Sequence, residues 1–404
     1  MEKILNYANP AWYAEGSKLS GRARLIEVLD DISDKIETEF PDDLDVQAEL
    51  HHKATEIYQA NGNYLKSLRH AERALEIRRV LFGDKNVEVA KDKYYLGAVY
   101  LKFLKINQSL KLHEEAAATF REIAPDNANL PFLLEDLGGI YRGHWREFDK
   151  SEKNFTEALE IFRQKDGEIH FNTARVYFEL SWIFAEKGDF SKADEYFREG
   201  TNRLNQLPEA NIKKRLPRFQ AAFEQAKGNR RKAEKILEDF LAQTDENAAS
   251  PNVKDAEELL EQFYGANENY EKSIQLQTKL IKNLNPNVPP DKIRIGFRKT
   301  KIALDFYRSG KNTEADAMFA EGYQIYCTVP AENFKIEYHN LVAECFIYQK
   351  RYEKAKLILE ELLVFFRENL PPNHGQTLEH KKLLEKIEKA GSADSLSAAV
   401  QAKR

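Results

Sequence analysis

His51 and His52 form the most metal-like pair in this 404-residue chain. Neighbours on a helix project about 100° apart, however, and grip a single ion poorly. No His-Glu-x-x-His or Cys-x-x-Cys motif accompanies them, so partly buried packing is the expectation and neither metal nor cofactor is implied. His144-Trp145 falls in a turn and reads as the cover of a junction between neighbouring elements. The carboxylate pairs Asp30-Asp31 and Asp42-Asp43 sit at helix edges, where capping and the helix dipole account for them. Cys327 and Cys345 are the two cysteines, too sparse for a disulfide framework or a zinc site. They read as half-buried thiols in a reducing compartment, with a single bridge between neighbouring helices left open. No local spacing sets a nucleophile beside a base. The chain therefore reads as non-enzymatic.

Charge narrows the partner classes. The 61 basic and 66 acidic side chains leave a net charge of −5, and the two signs alternate along the chain, so no basic field gathers phosphates. The densest basic stretch, Lys213, Lys214, Arg215, Arg218, then Arg230, Arg231 and Lys232, is interleaved with Glu224, Glu234 and Glu238 and reads as solvated helix faces. Nucleic acid is thus not an expected partner. No stretch approaches the ~20 apolar residues of a membrane helix, and Met1–Pro10 lacks the design of a signal peptide. A cytoplasmic protein with no membrane partner is expected.

The elements that would position these residues recur with a fixed period. A small residue repeats at Ser67, Ser109, Ser151, Ala193, Ala233, Ser273, Ala315 and Ala355, at successive spacings of 42, 42, 42, 40, 40, 42 and 40. Before each lies an amphipathic segment with apolar residues three and four apart, such as Leu96, Gly97 and Tyr100, or Leu180, Ser181 and Phe184. Small residues let two helices approach, and the aromatic fills the space beside them. Linkers rich in Pro, Asn and Asp, at Pro125–Asn127, Pro208–Asn211, Pro286–Pro290 and Pro371–Asn373, stop one unit and open the next. The third copy carries one extra residue near Trp145, and the second and sixth lack a turn glycine.

This pattern resembles the tetratricopeptide repeat. The match rests on the small first-helix position (Gly97, Gly138, Ser181), the turn glycine (Gly62, Gly188, Gly228, Gly310), the turn aromatic (Tyr64, Phe190, Tyr270, Tyr352) and the small second-helix anchor. The spacing departs from the family's usual 34 residues, so the extra length must lie partly in longer helices and partly in linkers. The resemblance implies an all-α, right-handed superhelical solenoid of about eight helix–turn–helix repeats with capping helices at both ends. An N-terminal segment over 1–45, with an apolar-striped helix at Arg22–Phe40, precedes an array over 46–370. A closing helix follows within 371–390, and 391–404 reads as a disordered tail.

The opening segment, "ANPAWYAEG" (Ala8–Gly16), "IEVLDDISDKIETEF" (Ile26–Phe40), "VQAELHHKATEIYQANGNY" (Val46–Tyr64) and "ALEIRRVLFG" (Ala74–Gly83), is similar to the regulatory repeat tails of bacterial serine/threonine kinases and related regulators. That likeness implies a signalling adaptor, whether as a whole protein or a separated tail. The kinase motifs themselves, a Gly-rich loop, His-Arg-Asp and Asp-Phe-Gly, are missing from the sequence.

In the repeat family the first helix of each pair lines a concave groove. Carried over, the groove positions are Tyr94 and Tyr95, then Arg175, Phe178, Glu179 and Trp182. Arg215 and Arg218 with Phe219, Lys301 and Tyr307, and Asn340 and Tyr348 complete the set. The Lys and Asn that clamp a terminal carboxylate in some relatives are replaced here by Lys53, Glu56, Tyr95, Ala98, Glu179 and Trp182. A mixed aromatic and charged groove suits an extended protein or peptide segment. Two readings stand side by side: a protein-interaction scaffold in bacterial signalling, and a peptide-sensing regulator whose curvature changes when a short peptide binds. An incompletely capped end would also pair with a second copy, so a homo-oligomer stays open.

Overall fold

The computed structural model describes residues 30, 33, 35–208, 214–244, 251–287, 289–328 and 336–401. Among them regular structure is helical throughout, without a strand. After a single turn, α1 (Ile36–Glu39), helices follow in antiparallel pairs: α2 (Leu44–Ala60) with α3 (Tyr64–Phe82), α4 (Val87–Lys102) with α5 (Ile106–Ile123), and α6 (Leu130–Ile140) with α7 (Phe148–Lys165). Next come α8 (Phe171–Glu186) with α9 (Phe190–Gln206), α10 (Leu216–Ala226) with α11 (Arg230–Ala242), and α12 (Pro251–Ala266) with α13 (Tyr270–Lys282). The last pairs are α14 (Pro289–Arg308) with α15 (Asn312–Tyr326) and α16 (Ile336–Tyr348) with α17 (Tyr352–Asn369), followed by α18 (Gly375–Gln401).

The eight anchors explain the pairing. Ser67, Ser109, Ser151, Ala193, Ala233, Ser273, Ala315 and Ala355 are each fully buried, at 0 % exposure. With so little side chain at this point, the two helices of a pair close on each other. Three of the serines then donate across the seam to a carbonyl of the first helix: Ser67 to Thr55 at 3.1 Å, Ser109 to Gly97 at 2.8 Å and Ser151 to Gly138 at 2.7 Å. The facing glycines have no room for more. A Cβ on Gly97 would sit 2.5 Å from the His113 ring, and one on Gly138 2.5 Å from Phe155.

Each pair turns through one residue in the left-handed region. Gly62, Gly188, Gly228 and Gly310 take it at φ of 73° to 80°, where a missing Cβ removes the strain. Leu104, Arg146, Glu268 and Lys350 hold the same place at φ of 54° to 59°, so the turn is kept even without glycine. In seven turns the N–H that closes the loop donates to a carbonyl five residues back, as from Asn63 to Tyr58 and from Asp189 to Phe184. In the third it reaches six back, from Glu147 to Tyr141. The extra residue near Trp145 is absorbed as a π-helical turn, Tyr141–Trp145.

The chain divides into two compact units, one ending at Asp136 and one beginning at Leu137. In the first unit α2 touches α4 along the layer of first helices. In the second unit α8 touches α10, α10 touches α12, and α14 touches α16.

Some expectations differ from what is seen. The first pair places extra length in a helix of 19 residues, while the fifth keeps helices of 11 and 13 residues. The final helix runs on to Gln401 instead of ending near 390. The two thiols are free, but Cys327 is exposed and Cys345 fully buried, neither being half-buried. Ala8–Gly16 and most of the helix expected over Arg22–Phe40 lie outside the described residues; α1 is the described end of that stretch.

Candidate protein-binding face

Helix α8 carries Arg175, Glu179, Trp182 and Glu186 at spacings of four, three and four, which puts them on one face. All four are half-buried. Arg142, projecting from the π turn, lies over the Trp182 ring at 4.0 Å. Its guanidinium is 3.5 Å from the carboxylates of both Glu179 and Glu186. At the other end of the helix, Arg175 and Arg215 approach the Phe171 ring at 5.8 and 4.7 Å. The result is a strip of cation–aromatic and ionic contacts, partly open to solvent. Cations over rings contribute about 0.5–1 kcal/mol when exposed and more when desolvated, so a partner covering the strip would strengthen contacts already formed.

The other expected positions divide. Tyr95 donates from its hydroxyl to Glu56 at 2.8 Å and meets His52 edge-on at 4.9 Å. Burial, then the Glu56 hydrogen bond, pushes its phenol above the ordinary range. Tyr94 packs edge-on to Tyr95 at 5.2 Å and His113 at 5.8 Å. Arg218 is exposed and pairs with Asp255 at 3.3 Å. Lys301 and Arg298 both pair with Glu261. The Asn340 amide meets His380 Nε2 at 2.6 Å, and Tyr348 is 46 % exposed.

Two residues belong to the core instead. Phe178 is buried, stacked on Phe219 at 4.3 Å and beside Phe197 at 5.2 Å. Gly200 makes this close packing feasible, since a Cβ there would lie 3.0 Å from the Phe178 ring. Tyr307 is buried too, stacked on Tyr348 at 5.2 Å with its hydroxyl bonded to Asp316. Their ring faces are spent between helices, and neither is available to a partner. Arg142 and Glu186 were missed. The sign in the sequence was the extra residue of the third turn, which displaces Arg142 from the register shared by the other copies.

The histidines expected to be packing residues are buried, His51 at 5 % and His52 at 1 % exposure. His52 Nδ1 is 2.7 Å from Asp92, which also takes Arg78 at 2.9 Å. Burial lowers the His52 pKa, but hydrogen bonds to Asp92 and Glu56 outweigh it and raise the value above the ordinary range. In the second unit His144 stacks on His374, with ring nitrogens 3.1 Å apart, and burial followed by that neighbour holds His144 down at about 4. Among the described residues no group of three side chains could hold a metal ion, and no helix is long and apolar enough to cross a membrane.

A tetratricopeptide repeat family model matches residues 47–122 and 132–206. Over these residues the chain matches the tetratricopeptide repeat. The matched residues span α2 to α5 and α6 to α9, the first four helix pairs. A comparison with curated proteins finds no match. Among solved structures, BtubC (BKLC) from P. vanneervenii is 18 % identical with a TM-score of 0.45, covering 57 % of this chain and 95 % of that one. The apo form of RapI is 14 % identical at a TM-score of 0.40, covering 76 % and 92 %. Aspartyl phosphate phosphatase F from Bacillus subtilis is 13 % identical at 0.42, covering 82 % of each chain.

Proposed function

We propose that this protein is a non-catalytic interaction scaffold that holds an extended segment of a partner protein on the open face of α8. The observation that carries the reading is the strip of Arg142, Glu179, Trp182 and Glu186, with Arg175 and Arg215 at its far end. Arg and Trp are the side chains that most often dominate interface energetics, and here they are held in place by one another before any partner arrives. Such preorganisation lowers the ordering cost of binding. The alternation of cation, ring and carboxylate along about one face suits a peptide of mixed charge better than a polyanion. A bacterial signalling setting is supported by the likeness of the opening segment to kinase repeat tails.

Affinity capture from source-cell lysate tests the reading. The wild-type chain is compared with an Arg175→Glu/Trp182→Ala variant whose circular dichroism matches the parent. A partner retained by the parent and lost by the folded variant supports the α8 face. Equal capture by both removes it.

A further inference from the structure

A second site lies in the first unit. A pocket of about 340 Å³ opens between α1, α2 and α3, lined by Ser33, Glu37, Thr38, His51, Arg69, His70 and Arg73. That volume is at the lower end of small-ligand sites. Its lining is built of polar groups.

Most of these groups are already engaged. Thr38 donates to the Lys35 carbonyl at 2.9 Å, and the Ser33 hydroxyl meets that of Tyr58 at 3.0 Å. Arg73 holds Glu37 at 2.7 Å and Glu76 at 2.8 Å. Two groups stand out. Arg69 is exposed at the rim and is engaged by no acidic side chain among the described residues. His51, only 5 % exposed, has a buried Nε2 without a hydrogen-bond partner. The Glu37 carboxylate is 3.9 Å from it.

The histidine pair shares one proton between its Nδ1 atoms. The Nδ1 atoms of His51 and His70 are 2.8 Å apart, so one ring donates and the other accepts. With His70 as donor, His51, a lining residue of the pocket, carries its proton on a buried Nε2 with no acceptor. Leaving such a donor buried and unmade is unfavourable. A ligand that supplies an acceptor recovers that cost. Burial keeps His51 neutral, at about 4, and the arginines supply the charge.

We infer that this pocket binds a small oxyanion, a carboxylate or phosphate group, between Arg69, Arg73 and His51 Nε2. Planar guanidinium groups match the geometry of both anions. The bound anion would take Arg69 without displacing an existing pair, and would share Arg73 with Glu37. Occupancy would tie α1 to the first helix pair, since the lining comes from all three helices.

The test is long-range ¹H–¹⁵N NMR of the His51 imidazole in the full chain, titrated separately with inorganic phosphate and with succinate at constant ionic strength. Chloride serves as the control, and Arg69→Glu is the variant because an exposed rim residue leaves folding intact. A saturable shift of Nε2, with a raised His51 pKa and affinity weakened about tenfold or more in the variant, supports the site. Response to phosphate alone or to succinate alone supports it and identifies the anion. No shift with either anion, or the same shift in parent and variant, overturns it.

Discussion

The first two helix pairs and the fourth and fifth pairs share one architecture but close their seams with opposite chemistry. In the first unit the seam is ionic: Asp92, 2 % exposed, takes both His52 and Arg78, while buried Lys93 pairs with Glu115 at 2.9 Å and Asp84 at 3.0 Å. In the second unit the seam around α8 and α10 is aromatic. Phe178 stacks on Phe219 at 4.3 Å, Phe197 on Phe223 at 4.4 Å, and Phe184 on Tyr196 at 5.2 Å. The repeat thus prescribes where small residues go, because that sets helix separation. What fills the remaining seam is free to vary, from paired charges to stacked rings.

The aromatic seam gives the largest expected effect. Phe178→Ala removes a buried ring from a stack and should cost about 3–5 kcal/mol, read as a loss of urea stability of the second unit by the fluorescence of Trp145 and Trp182. A cost below about 1 kcal/mol would show the stack to be dispensable.

The ionic seam comes next. Asp92→Ala strips a buried counter-charge from Arg78 and His52. Arg78 keeps Glu49 and, at 3.5 Å, Glu88, so the expected loss is about 3 kcal/mol, at the lower end for a broken buried pair. Hydrogen exchange over α2–α5 should report it. Replacing both partners, as in Arg78→Met/Asp92→Leu, should restore most of that stability. If the double variant is as unstable as the single one, the network contributes more than charge balance.

Acid should separate the seams further. His51 titrates at about 4 in the fold against ~6.5 when unfolded, so the unfolded chain binds more protons between these values. Stability from His51 is present above ~6.5 and is lost as pH falls toward 4. His52 has the opposite sign: its raised value stabilises below ~6.5, and that gain is lost as pH rises past its folded value. Exchange rates in α2 and α3 should therefore vary with pH more than those in α9 to α11. Equal pH profiles for the two regions would contradict the distinction.

The smallest effect concerns the turns. Leu104 and Lys350 occupy left-handed positions that glycine fills in four other copies. Leu104→Gly should relieve strain worth about 1–2 kcal/mol, partly offset by the greater freedom of glycine in the unfolded chain, for a net gain of about 0.5–1 kcal/mol. Thermal melting checks it, and a loss would mean that the Leu104 side chain has a packing role.

The scaffold was legible because the anchors depend on local spacing. A residue that must be small to let two helices meet recurs wherever they meet, and all eight anchors proved fully buried. The turn was legible even where glycine was missing, since its register to the anchor is constant. The site was less so. Phe178 and Tyr307 follow the same helical spacing as Trp182, yet only a neighbouring helix decides whether a ring faces a seam or solvent. The Asp92 centre was hidden for a related reason, as its partners lie 14 and 40 residues away on other helices. Arg142 was overlooked because it lies in the one turn that breaks register.

Photocrosslinking distinguishes a partner seated on the α8 face from one bound elsewhere. p-Benzoylphenylalanine replaces Trp182, and in a separate chain replaces exposed Leu357 on α17. Position 182 is expected to yield a crosslinked protein partner in source cells, with the adduct mapping to an extended segment, and position 357 is not. Crosslinking at 357 with none at 182 would contradict the α8 face as the binding surface.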